Sequence, residues 1–265
     1  MNRSRIALHS SLFLCSVIAL SGYSMAASKY VVTQDPQAVA VIQASIAALG
    51  GSEAISQISD CTVQGSSKSN PEDPTATATF VWQTEGSEFR YDTQTSTSES
   101  TFLSGHGNPG YLLKGKFIPV ADYMTDDALP YHLPGLVLLN DLGNPNYSIV
   151  LIGADTWNGT AALHIQIVNG TDLVNPQLTQ QDWYLDPFSL LPIAVAYRVP
   201  NQTDPTQFSA GSITFANYKQ VGGLLVPFAF TVTADLSESV TVTSVTFNSG
   251  IPATTFDGAA SGGAQ

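Results

Sequence analysis

The sequence predicts a mainly β protein built on antiparallel sheet with a few short helices. Three observations predict it. First, apolar residues alternate with polar or small ones over most of the chain after Cys61. The runs are Phe80 and Trp82, then Phe89 and Tyr91, then Leu163, Ile165 and Ile167. They continue with Trp183 and Leu185, with Ile193, Val195 and Tyr197, and with Val226, Phe228, Phe230 and Val232. A period of two buries one face and wets the other, as antiparallel sheet allows. Second, turn signals separate the runs at Glu85-Gly86, Gly107-Asn108-Pro109-Gly110, Asn158-Gly159, Asp186-Pro187 and Gly222-Gly223. Asn158-Gly159 is the strongest of them, because both residue types tolerate positive φ in a hairpin turn. Third, 43% of the 265 residues are hydrophobic and only 11% are charged, enough apolar surface for a core and too little charge for a disordered chain.

Residues 1–26 read as a cleaved secretory signal peptide. Arg3 and Arg5 precede the short apolar run Leu12 to Leu20, and Ser24-Met25-Ala26 offers small residues where a peptidase reads. That run is far short of the ~20 residues a spanning helix needs. Its loss removes two of nine bases and none of 21 acids, leaving seven bases and a charge of −14. Such an excess argues against nucleic acid and against an anionic lipid surface as partners. Cys15 lies in this segment behind Leu14, which is too large for a lipid-anchor site, so Cys61 is left as a lone, half-buried strand residue.

The domain is expected over residues 27–257. A helix follows Asp35 and Pro36 and ends at Gly50-Gly51, with Val39, Ile42, Ile46 and Leu49 along one stripe. A second, over 53–58, takes Ser52 as its cap. Strands are expected near 61–68, 77–85, 88–95, 100–105, 110–119, 147–154, 160–168, 181–186, 192–199, 209–220, 224–234 and 239–247. In the last strand the alternation changes phase between Val242 and Val245, which marks a bulge. Residues 121–143 are too apolar for an exposed loop and predict a helix at 135–142 with a shorter one near 121–128. The Gly, Ala and Ser tail over 258–265 reads as disordered.

Chemistry is sparse. His106, His132 and His164 have no metal-ligand spacing, and no HExxH, CxxC, EF-hand, GxSxG, GxGxxG or P-loop pattern occurs. No metal, cofactor or catalytic residue is assigned, and the chain is not expected to be an enzyme. Asp126-Asp127 with His132 would be the acid–base candidates, but adjacent acids more often start a helix. Arg90 and Arg198, both mid-strand, read as solvated side chains; the other reading is a rim charge that meets a headgroup or holds a lid closed. His164 falls on the outward parity and is expected to be exposed. A dozen strands make a sheet too wide to fill its own interior if it closes, since about eight strands already suffice. The sheet therefore either folds into a sandwich or curves around a cavity, and an apolar cavity under helices takes an apolar ligand. The residues expected to line it are Phe80, Trp82, Phe89, Tyr91, Phe102, Leu136, Leu139, Trp183, Leu185, Val195, Tyr197, Phe215, Phe228 and Phe230.

The order of elements resembles a known group. The pieces are Ala48-Leu49-Gly50-Gly51 with Ile55-Ser56-Gln57-Ile58, then Phe89-Arg90-Tyr91-Asp92, a serine-rich strand and Gly110-Tyr111. Trp183-Tyr184-Leu185-Asp186-Pro187 with Leu191-Pro192 follows, and then Tyr218-Lys219-Gln220-Val221-Gly222-Gly223 with Val226-Pro227-Phe228. Over roughly residues 36–248 the chain is similar to the LolA/LolB-like periplasmic lipoprotein carrier superfamily, the outer-membrane lipoprotein-sorting-like proteins. The resemblance implies a single strongly curved antiparallel sheet, an open half-barrel of about eleven strands rather than a closed one, with short helices as a lid. It implies a periplasmic carrier of lipid or lipoprotein acyl chains, monomeric, without catalysis or cofactor, served by membrane-bound donor and acceptor proteins. Residues 131–142 would belong to the lid. Hiding an acyl chain from water is worth about 0.8 kcal/mol per methylene, which is why a soluble carrier needs a cavity. The competing reading is a non-catalytic secreted β-domain that binds protein or polysaccharide on a sheet face.

Overall fold

In the computed structural model, the strands form one antiparallel sheet that stays open, with its α-helices packed on one face. The structure describes residues 32–69, 77–125, 130–170, 176–201, 203–204, 206–234 and 237–258. The expected signal peptide, Asp126 and Asp127, and the tail beyond Gly258 lie outside the described residues.

Among those described, thirteen strands occur: β1 (Asp60–Lys68), β2 (Thr77–Glu85), β3 (Glu88–Gln94), β4 (Glu99–Gly105), β5 (Asn108–Leu113), β6 (Lys116–Pro119), β7 (Tyr147–Trp157), β8 (Thr160–Asn169), β9 (Gln181–Leu185), β10 (Pro192–Pro200), β11 (Phe208–Val221), β12 (Leu224–Thr233) and β13 (Ser237–Phe247). Their order is β6-β5-β4-β3-β2-β1-β13-β12-β11-β10-β9-β8-β7. Two meanders thus meet at one seam, β1 against β13, and β6 and β7 are left as opposite edges. Residues 120–146 join those edges, so the chain must pass from one side of the sheet to the other, and it carries helix α3 (Pro134–Gly143) with it. The β7 edge is covered by the N-terminal lead, where Asp35 N–H donates to the Ile149 carbonyl at 2.9 Å and Ile149 N–H to that of Thr33 at 2.7 Å. A paired edge cannot recruit a foreign strand.

Helix α1 (Pro36–Ala48) forms as its sequence predicts. The Asp35 carboxylate accepts from Gln37 N–H at 2.8 Å, Pro36 occupies the first turn, and Ala38, Ile42, Ser45 and Ile46 face inward. Helix α2 (Ser52–Ser56) starts one residue earlier than expected. Its cap is Gly51, and Ser52 is its first residue.

The sheet has thirteen strands rather than eleven or twelve because residues 110–119 fold as a hairpin and not as one strand. Lys114 (φ 52°) and Gly115 (φ 75°) make the two-residue turn between β5 and β6. Lysine at the first turn position gives no signal in the sequence. The bulge in β13 lies where the phase change puts it. Gln64 pairs with Ser244 and Gly65 with Val242, so Thr243 is the extra residue. The segment near 121–128 supplies one 3-10 turn, Asp122–Thr125. Cys61 is fully buried rather than half-buried, and burial with the adjacent Asp60 charge pushes its thiol up to about 12.

One core fills the space between helices and sheet. Ile42, Ile46, Leu49, Ile55, Leu133, Val137 and Leu138 come from the helical side. Val63, Phe80, Ile165, Trp183, Val195, Phe215 and Phe230 meet them from the inner face of the sheet.

Candidate functional site: the inner face under α3

The chain enters α3 through Tyr131, His132 and Leu133, and all three are buried against the sheet. His132 lies on Trp82 with ring centroids 4.0 Å apart and planes 13° from parallel. Tyr131 lies on Tyr197 at 5.1 Å and 23°, and 6.1 Å from Trp183. Trp82 is itself flanked by Tyr91 at 4.8 Å, Phe80 at 6.0 Å and Phe230 at 6.5 Å. Two lid rings are thus seated among the aromatic side chains of β2, β3, β9, β10 and β12.

Two polar features accompany this packing. His132 Nδ1 is buried and has no hydrogen-bond partner, and burial alone pulls its pKa down to about 3. Asp141 of α3 is buried as well. Its Oδ2 accepts from Gln181 Nε2 at 3.0 Å, and Gln181 Oε1 accepts from the Trp183 indole at 2.8 Å. Burial raises the Asp141 carboxyl to about 7, against the lowering effect of the amides of Gln181 and Asn140. The sequence carries a signal for this chain that our reading did not use. Gln181 has the inward parity of Trp183 and Leu185, and a polar residue there needs a partner.

The expected lining residues divide into three sets. Phe80, Trp183, Leu185, Val195, Tyr197, Phe215, Phe228 and Phe230 are buried in the core, Phe228 beneath Lys219 Nζ at 4.5 Å from its ring. Trp82, Tyr91, Leu136 and Leu139 are half-buried against it. Phe89 and Phe102 stand apart. They share the inner face but form a separate row toward β6, Phe89 packing on Phe102 at 5.3 Å and Phe102 on Tyr111 at 4.7 Å. Space beneath the helices is small. A crevice of about 20 Å³ lies among Leu49, Ile55, Leu136, Leu224 and Val226, where a small-molecule site needs about 300 Å³ or more. Tyr131, Leu133, Val137 and Leu138 pack directly against the inner face of the sheet.

The remaining candidates lie elsewhere. Arg90 neither floats free nor reaches the lid. It forks onto Asp92 at 2.8 and 3.0 Å and donates to the Thr255 carbonyl at 3.1 Å, pinning the C-terminal segment to the outer face. Arg198 stacks over Phe208. His164 is not exposed as expected: its two ring nitrogens meet Asp155 at 3.1 Å and Asp182 at 3.0 Å, and Tyr184 lies across it. His106 is similarly placed between Glu88 and Asp257. Among the described residues no carboxylate contacts His132, and no group of three or more His, Cys, Asp or Glu is placed to hold a metal ion. A groove of about 640 Å³ with a mixed polar and apolar lining opens on the outer face, over Gln64, Thr79, Val81, Gln94 and Leu112 with Arg90, Asp92, Glu99 and Lys114.

No family model matches the sequence, and no curated protein matches it. Solved structures do. A domain named for outer membrane lipoprotein sorting, from Vibrio parahaemolyticus, superposes with a TM-score of 0.53 at 16% identity, over 83% of this chain and 95% of its own. A LolA superfamily protein from Nitrosomonas europaea gives 0.52 at 7% identity, over 83% and 97%. The chain has a LolA-like fold. A DUF1329 family protein from Desulfovibrio piger shares it, with a TM-score of 0.55 at 11% identity over 82% and 96%. At such identities the LolA-like likeness is one of architecture: an open antiparallel sheet with short helices on its inner face.

Proposed function

We propose that this protein is a periplasmic, non-catalytic carrier that takes the acyl chains of a lipid or lipoprotein onto its inner sheet face in place of its own lid. The observation that carries the reading is the lid itself. Tyr131, His132 and Leu133 are inserted as a plug into an aromatic and aliphatic surface, and the plug is joined to the sheet there by ring stacking and apolar contact. Ring stacking and apolar contact are non-directional, so an apolar guest can take their place on the same surface. The LolA-like fold supports the reading, since structures of this architecture include one named for lipoprotein sorting. The guest would lie against Phe80, Trp82, Tyr91, Trp183, Val195, Tyr197, Phe215 and Phe230 once Leu136 and Leu139 move away. A cleaved signal at residues 1–26 would deliver the chain to the periplasm, and membrane-bound donor and acceptor proteins would load and unload it.

The test is mass spectrometry of lipid extracted from purified protein, together with displacement of a fluorescent fatty acid. Bound lipid, or uptake that saturates, is the expected result. A folded sample with neither ends the proposal. A second reading rests on the outer-face groove, whose lining combines hydroxyls and amides with apolar and charged side chains and suits a polysaccharide or peptide strand. It predicts binding that Gln94→Ala and Thr79→Ala weaken and that lid substitutions leave alone.

A further inference from the structure

We propose that the inner-face site selects flat, conjugated acyl chains over saturated ones, because the two places vacated by the lid are ring-stacking berths. This rests on the carrier reading and names its cargo class. The first berth is the face of Trp82, on which His132 lies at 4.0 Å and 13°. The second is the face of Tyr197, on which Tyr131 lies at 5.1 Å and 23°. Both lid residues present a planar π-system to a planar π-system, although the flanking lid residues are Pro130, Leu133 and Pro134.

The His132 berth shows what the site rewards. An imidazole buried in apolar surroundings loses its water, and ordinarily a hydrogen bond restores part of that loss. His132 Nδ1 has no such bond. What compensates the burial is the stack itself, so the berth favours flatness rather than polarity. A saturated chain would cover the same two faces by area alone. A conjugated chain would cover the same area and add face-to-face contact, which aromatic pairs supply beyond burial.

Titration calorimetry on the full chain decides it with three probes of equal length: parinaric acid, a conjugated tetraene; linolenic acid, unsaturated without conjugation; and stearic acid, saturated. Parinaric acid is expected to bind about tenfold more tightly than stearic acid, in line with one added face contact, with linolenic acid near stearic. Trp82→Leu and Tyr197→Leu should each reduce the preference, and together they should bring the parinaric and stearic affinities to within about twofold. Equal affinities in the unchanged protein, or a preference that survives both substitutions, overturns the selection and leaves the carrier reading in place. Binding of none of the three acids overturns both.

Discussion

His132 and Trp82 are stacked at 4.0 Å in the interior, yet the imidazole brings a nitrogen there that nothing satisfies. An unpaired buried polar atom costs about 1–3 kcal/mol. The lid is thus held closed by packing that works against an electrostatic penalty. Such a segment is easier to displace than one made wholly of leucine, as the proposed uptake of a guest requires.

The penalty depends on pH, and its sign follows from the direction of the shift. A free imidazole titrates near 6.5, and burial holds His132 at about 3. The closed lid accepts only the neutral ring. The stability that goes with closure is complete above about 6.5 and is lost as pH falls toward 3, by about 1.4 kcal/mol per unit. His132→Phe keeps a flat ring on Trp82 and removes the proton site. Urea unfolding from pH 7 to pH 4 should show the variant gaining on the unchanged protein by roughly 3 kcal/mol. A difference that stays constant with pH would mean that the ring is hydrated in the closed state.

Asp141 acts in the opposite sense. Its carboxyl is raised from 3.8 to about 7 by burial. The closed state holds it protonated, so the associated stability is present below about 3.8 and is lost as pH rises toward 7. Asp141→Asn should therefore stabilise the protein most at neutral pH, by roughly 4 kcal/mol, with the gain fading toward pH 4. Differential thermal melts across that range read it directly, and a gain that grew on acidification would refute the assignment. Between about 3.8 and 6.5 the two residues cancel. Lid closure takes a proton from His132 and gives one to Asp141, so each single variant exposes the slope that the other conceals.

Much of this architecture could be read in the chain, and the gaps have physical causes. Alternation places Phe80, Trp82, Trp183, Phe215 and Phe230 on one face because a strand turns its side chains over every residue. The β13 bulge was legible for the same reason: an extra residue must shift the phase between Val242 and Val245. The Lys114-Gly115 turn was not, since lysine carries no preference for positive φ. Nor was the state of the interior. Parity shows which residues face inward, but whether they meet a guest or Tyr131 and His132 depends on how residues 120–146 lie across the sheet, and no local pattern encodes that. Phe89 and Phe102 share the parity of Trp82 yet form a second row in which Phe102 meets Tyr111, because a wide sheet has room for two rows.

Cys61 makes a simple probe of the same interior. Its side chain is 1% exposed and its thiol is pushed up to about 12. Only the thiolate reacts with alkylating reagents. At pH 8 the native protein should resist iodoacetamide for hours, and urea-unfolded protein should be modified within minutes. Rapid labelling of the native state, followed by peptide mass, would reveal that the β1–β13 seam opens readily.

That seam is where the two meanders join, and Gly65 is its tightest point. Beside the Thr243 bulge, β13 comes so close that a methyl group at position 65 would run into the Thr241 carbonyl oxygen and lie 2.7 Å from the Phe80 ring. The ring could turn aside, but a backbone carbonyl held in a sheet cannot, so the added carbon must push the strands apart. Overpacking of this kind costs about 1–3 kcal/mol, occasionally more, and here it also disturbs the Phe80 contact with Trp82. Gly65→Ala should lower the free energy of unfolding in urea by an amount at the upper end of that range. Ser66→Ala, one residue on and facing outward, should stay within about 0.5 kcal/mol. If the two substitutions cost the same, the seam is looser than its geometry indicates, and the halves of the sheet are joined by hydrogen bonds without close packing.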